Sequence, residues 1–185
     1  MSSLPSQTVG PFFHFGLTTD GRLGCLAGPQ AQGERILLEF ALLDGDGHPV
    51  PDGMIELWQA DSAGRYQHPA DTREPPPDPD FRGFGRLPTD AEGRCTFHTV
   101  RPGAVPDGRG GFQAPHINVS VFARGLLGRL CTRVYFEGDP ALASDHVLAL
   151  VPAGRRPTLL ARWHQSHWES VIHLQGERET VFFDV

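Results

Sequence analysis

Apolar and polar residues alternate with a period of two over several short stretches of the chain, and turn residues separate those stretches. The clearest is Ile117-Asn118-Val119-Ser120-Val121-Phe122-Ala123-Arg124. It sets Ile117, Val119, Val121 and Ala123 on one face of a strand and Asn118, Ser120, Phe122 and Arg124 on the other. Arg35 to Leu43 and Met54 to Ala60 predict two further strands, the first closed by the turn Asp44-Gly45-Asp46-Gly47. Arg94 to Val100 and Arg129 to Phe136 continue the series, and shorter strands are predicted over Thr158–Trp163, Ser170–Leu174 and Glu179–Phe183. Asp139-Pro140 supplies an N-cap and a first-turn proline, which predicts one short helix over Ala141–Leu148. The run Pro75-Pro76-Pro77-Asp78-Pro79 marks a long, stiff loop. Residues 1–33 are irregular and are expected to form an arm that lies over a surface rather than inside the core. Without an internal repeat, this pattern predicts an all-β fold: a β-sandwich of mixed sheets forming a single domain over residues 1–185.

Composition narrows the function. The 185 residues are 39% hydrophobic, enough for one sizeable core, and 22 Gly with 17 Pro favour turns over long helices. A net charge of −6 argues against a nucleic-acid partner, and it leaves any anion site dependent on local arginines. Cys25, Cys95 and Cys131 have no C-x-x-C spacing, which points to free thiols in a reducing compartment. With no secretory-type leader and no long apolar run, the expected location is cytoplasmic, with no membrane association.

Few residues offer chemistry. Ala114-Pro115-His116-Ile117-Asn118 would hold a His-x-His metal clasp if Asn118 were histidine, and Gly64-Arg65-Tyr66 supplies a tyrosine able to act as a phenolate. A ferric ion needs several such ligands at once, and one Tyr with one His cannot hold it. On the residues alone, these two are equally a turn tyrosine and a strand histidine satisfied by hydrogen bonds. His164 and His167 have no third ligand and read as surface, while Arg133, Arg22 and Arg82 read as ion-pair residues. Arg124 ends the alternating strand beside Gly125 with no acidic residue near it in sequence. Eight residues of strand separate it from His116, roughly 26 Å, so it is not expected to serve a pocket around that histidine.

Six segments carry a resemblance that spans the chain: Pro5-Ser6-Gln7-Thr8-Val9-Gly10-Pro11-Phe12, Ile55-Glu56-Leu57-Trp58-Gln59-Ala60-Asp61, Ala114-Pro115-His116-Ile117-Asn118, Phe122-Ala123-Arg124-Gly125, Thr132-Arg133-Val134-Tyr135-Phe136 and Gly176-Glu177-Arg178-Glu179-Thr180-Val181-Phe182-Phe183. Together they resemble the intradiol ring-cleaving dioxygenases, and in particular the α chains of members built from αβ pairs. The resemblance implies a partner β chain that holds a non-haem Fe(III) through two tyrosines and two histidines. In this chain Tyr66 matches the first tyrosine and His116 the first histidine, Val105 falls where the second tyrosine would be, and Asn118 replaces the second histidine. No metal is therefore expected here, and no catalytic residue in this chain alone.

The resemblance further implies that Arg124 binds the carboxylate of 3,4-dihydroxybenzoate at the partner's iron centre. Thr8, Gly10, Pro11 and Phe12 would line that cleft from the arm. The family often has tyrosine at the last of these positions, whose hydroxyl Phe12 lacks. Two other classes fit the residues: a β-sandwich ligand- or protein-binding module without chemistry, and a self-sufficient dioxygenase with an unusual metal site.

Overall fold

A computed structural model describes residues 6–10 and 12–184. The strands are β1 (Arg35–Leu43), β2 (Met54–Gln59), β3 (Phe84–Pro88), β4 (Arg94–Val100), β5 (Val105–Pro106), β6 (Phe112–Gln113), β7 (His116–Phe122), β8 (Leu130–Phe136), β9 (Leu160–His164) and β10 (His167–His173). Eight of them form one sheet in the order β3-β2-β7-β8-β9-β10-β1-β4, and β5 pairs with β6 in a separate ribbon. The sheet is mixed, since β1–β10 and β8–β9 run parallel and the other pairs antiparallel. The two end strands, β3 and β4, lie against each other, so the sheet rolls into a nearly closed, barrel-like sandwich.

Alternation explains the core. Ile36, Leu38, Phe40 and Leu42 of β1 point inward with Ile55 and Leu57 of β2, Phe97 of β4, and Ile117, Val119 and Val121 of β7. Strand β8 is covered on both faces. Val134 and Phe136 enter this core, while Tyr135 enters a smaller cluster with Ala114, Leu148, Val151 and Leu159.

Three sequence expectations change. The predicted helix over Ala141–Leu148 is instead a 3₁₀ turn (Pro140–Ser144) followed by a short helix α2 (His146–Leu150), because Asp145 interposes a second N-cap. The arm is only partly superficial. It carries a short helix α1 (Phe13–Leu17), and its later residues Leu26, Ala27 and Ala31 are buried in the main core. The predicted final strand reduces to a single bridge between Phe183 and Cys131, and β3 was hidden by its Gly85 and Pro88.

Asp145 does more than cap α2. Its buried carboxyl accepts from the Leu148 N–H at 2.7 Å, the Ala114 N–H at 2.8 Å and the Tyr135 hydroxyl at 3.2 Å. It thereby ties α2 to β8 and to the residue that precedes His116 by two. Asp145→Ala strands three buried donors, and the expected loss is about 3 kcal/mol of unfolding free energy, at roughly 1 kcal/mol per donor. Denaturant unfolding of the variant measures it; a loss below about 1 kcal/mol would show that the carboxyl is not what joins these elements.

Candidate functional site

The outer face of the β2–β7–β8 ladder carries the polar positions. Register places Trp58, Asn118 and Arg133 in one cross-strand row, and His116 opposite Tyr135 in the neighbouring row. Two loops fold over this face. In the first, the buried Asp61 side chain accepts the Ala63 and Arg65 N–H groups, each at 2.9 Å, and the Asp78 N–H at 2.9 Å. This shapes a turn in which Gly64 has φ +73°, and a Cβ there would come within 2.1 Å of the Ala104 carbonyl oxygen. The turn delivers Tyr66, whose ring stacks on Trp58 with centroids 5.7 Å apart and planes 14° apart. The second loop is held to the first by the Gly103 N–H donating to the Asp61 carbonyl at 2.8 Å, and it brings in Val105.

A cavity of about 780 Å³ results, with Trp58, Tyr66, His68, Val105, His116 and Arg133 in its wall. Three of the four positions that the resemblance matches to iron ligands, Tyr66, Val105 and His116, therefore line one cavity. Asn118 stands at the border with a neighbouring cavity of about 640 Å³ that shares Trp58 and Arg133, and its amide hydrogen-bonds the Tyr66 phenol.

The electrostatics oppose a metal ion. Burial, then the Arg133 guanidinium, lower the His116 pKa from its ordinary value to about 4. Its Nδ1 lies 2.8 Å from the Ala114 carbonyl, which can only accept, so Nδ1 is the protonated nitrogen and Nε2 the acceptor. Burial raises the Tyr66 pKa, against the Arg133 charge and the Asn118 hydrogen bond. A metal would need that phenol deprotonated. The Arg133 charge beside His116 disfavours a further cation there, and Val105 offers no donor. The residues present do not fit Fe(III), and no group of three or more His, Cys, Asp or Glu able to hold a metal occurs among the described residues.

Arg133 is the residue that the sequence reading misplaced. It forms no ion pair among the described residues; its Nη1 donates to the Gln113 amide oxygen at 2.7 Å and it also hydrogen-bonds Tyr135. The parity of Thr132-Arg133-Val134 against the apolar Val134 already assigned it to the outer face with Asn118. His68 and Arg73, which also line the cavity, lie on an irregular loop that has no periodicity to reveal them. His164 and His167 prove to be a cross-strand pair closing the β9–β10 hairpin.

At the far end of β7, Arg124 is 58% exposed and ion-paired through Nε to Asp52, a partner that sequence distance concealed. It does not line the His116 cavity. The next residue, Gly125, donates its N–H to the Thr8 hydroxyl at 2.7 Å, which brings the arm beside Arg124. The Gly10 carbonyl accepts the Phe13 N–H at 3.2 Å, and Phe12 and Phe15 are 73% and 62% exposed with rings stacked at 6.1 Å. Pro11 lies outside the described residues.

The dioxygenase family model matches residues 9–176. The chain is 42% identical to the protocatechuate 3,4-dioxygenase alpha chain of Burkholderia cepacia, covering 100% of this chain and 98% of that one. It is 39% identical to the protocatechuate 3,4-dioxygenase beta chain of the same organism, over 95% of this chain and 77% of that one. In solved structures, the dioxygenase domain of a carbohydrate-binding fusion from Streptomyces sp. SirexAA-E superposes with a TM-score of 0.59 at 26% identity, covering 81% of this chain and 84% of that one. The rolled mixed sheet, the loop-covered outer face and these likenesses agree: the chain belongs to the dioxygenase family, among its intradiol ring-cleaving members.

Proposed function

We propose that this chain is the α subunit of a protocatechuate 3,4-dioxygenase, paired with a β chain that holds the Fe(III). The complex would cleave 3,4-dihydroxybenzoate with O2 to 3-carboxy-cis,cis-muconate. The observation that carries this reading is the donor set of the cavity. Likeness to α and β chains is nearly equal, at 42% and 39%, but Val105, Asn118 and the Arg133 charge deny this chain the metal that the chemistry requires. The iron, bound in the partner, supplies the activation that lets O2 add to the ring.

This chain's part is to bind and orient. Arg124 offers a planar guanidinium suited to a substrate carboxylate, and Asp52 steadies it at the strand end. The Thr8–Gly125 hydrogen bond anchors the arm next to it. That leaves the exposed Phe12 ring as an apolar wall for an aromatic ring in the partner's cleft. Gly10 carries no side chain to obstruct that approach, and nothing lies within 4 Å of where its Cβ would be. Pro11, outside the described residues, is included in the proposed substrate-binding set on the resemblance alone.

Two outcomes are expected. In the assembled enzyme, Arg124→Ala lowers kcat/KM for 3,4-dihydroxybenzoate roughly 10- to 100-fold, the worth of a charge-assisted hydrogen bond. Catechol, which lacks the carboxylate, is affected less, and iron content stays the same. Steady-state kinetics on both substrates decide it, and an unchanged kcat/KM rejects the role. Purified alone, the chain is expected to give no ring cleavage, and co-expression with the β chain restores it; turnover by the lone chain would overturn the subunit assignment.

A further inference from the structure

The cavity that does not fit iron has the makings of another site. Its lining carries Asp71, Arg73 and Arg133 as formal charges, with His68 and His116 beside them. Asp71 and Arg73 are ion-paired with each other, and Asp71 also accepts the Tyr66 N–H at 2.8 Å. That leaves Arg133 as the unbalanced charge of the lining, in a chain whose net charge is −6. Its hydrogen-bond partners, the Gln113 amide and the Tyr135 phenol, are neutral. A guanidinium has five N–H donors, and these two partners do not exhaust them.

Beside the guanidinium stand flat apolar surfaces, the stacked Trp58 and Tyr66 rings and the edge-on His68 ring, 6.4 Å from Trp58. A half-buried cation next to an aromatic wall in a cavity of about 780 Å³ matches a small ligand with one anionic end and one flat end. The neutral His116 ring has Nε2 as its acceptor nitrogen, which suits a ligand hydroxyl.

We propose that this chain's own cavity binds a monocyclic aromatic carboxylate, with Arg133 gripping the carboxylate and the Trp58–Tyr66 stack forming a wall beside the ring. The guanidinium supplies the positive charge there, and binding involves no covalent step. The inference concerns this chain alone and stands or falls independently of the β chain.

The probe is 4-fluorobenzoate, followed by fluorine NMR on the purified full-length chain, against the neutral 4-fluorobenzyl alcohol. The carboxylate is expected to bind at least tenfold more tightly than the alcohol and to weaken as salt rises. Arg133→Gln, which keeps a polar side chain beside Gln113, is expected to lose that tenfold preference, and Arg133→Lys to recover part of it. Arg124→Ala, outside this cavity, is expected to leave the acid preference of the lone chain in place. Equal binding of acid and alcohol by the wild-type chain, no binding of the acid, or full retention of binding in Arg133→Gln would each overturn the proposal. The acid-against-alcohol comparison needs no variant, so equal binding overturns the proposal even if Arg133→Gln fails to fold, and Arg133→Lys then locates the preference.

Discussion

A positive charge half-buried beneath two loops has to be answered by something, and Arg133 has no ion pair among the described residues. Its side chain donates to the neutral Gln113 amide, and the Asp145 carboxylate is reached through the Tyr135 phenol. The rest of the site arranges itself around that fact. His116 stays neutral because burial and the nearby guanidinium both disfavour its proton. Asp71 is already committed to Arg73, so it cannot neutralise Arg133. A ferric centre needs the opposite arrangement, in which anionic phenolates converge on the cation and no competing charge stands beside it. The fold here keeps the stage of such a centre and reverses the sign of the actor on it.

The ladder register is what makes this a single place. Period-two alternation in β7 sends Ile117, Val119 and Val121 into the core and leaves His116 and Asn118 outside, and the same parity in β8 leaves Arg133 and Tyr135 outside. These consequences were legible in the sequence, since β1, β2, β4, β7 and β8 fall where alternation put them. What alternation cannot reach are contacts made by irregular chain. The loop residues His68 and Arg73 join the cavity through the Asp61 turn, and Asp52 meets Arg124 across the fold. Arg133 was visible as an outward-facing residue, but its lack of a carboxylate partner is a property of three-dimensional surroundings. The helix over 141–148 failed for a local reason: Asp145 competes for the backbone as a cap, and two short turns replace one helix.

Strand β7 thus has two ends with different characters. At one end His116 lines an open, loop-framed cavity in which Arg133 is the charge without an ion-pair partner among the described residues. At the other, the chain runs on to Arg124, exposed, with the arm hydrogen-bonded beside it and Phe12 turned to solvent. Exposed aromatic surface next to a guanidinium is costly to leave in water and well suited to an interface with another chain. The division follows from strand length, because one strand residue advances about 3.3 Å and a single small ligand cannot touch both ends.

The central claim is that this polypeptide contributes side chains to a reaction whose metal it does not hold. Native mass spectrometry of the co-purified complex, with iron counted for each chain after gentle dissociation, tests it most directly. One iron per αβ pair, travelling with the β chain and leaving this chain at its bare mass, is the predicted result. Iron retained by this chain would contradict the account.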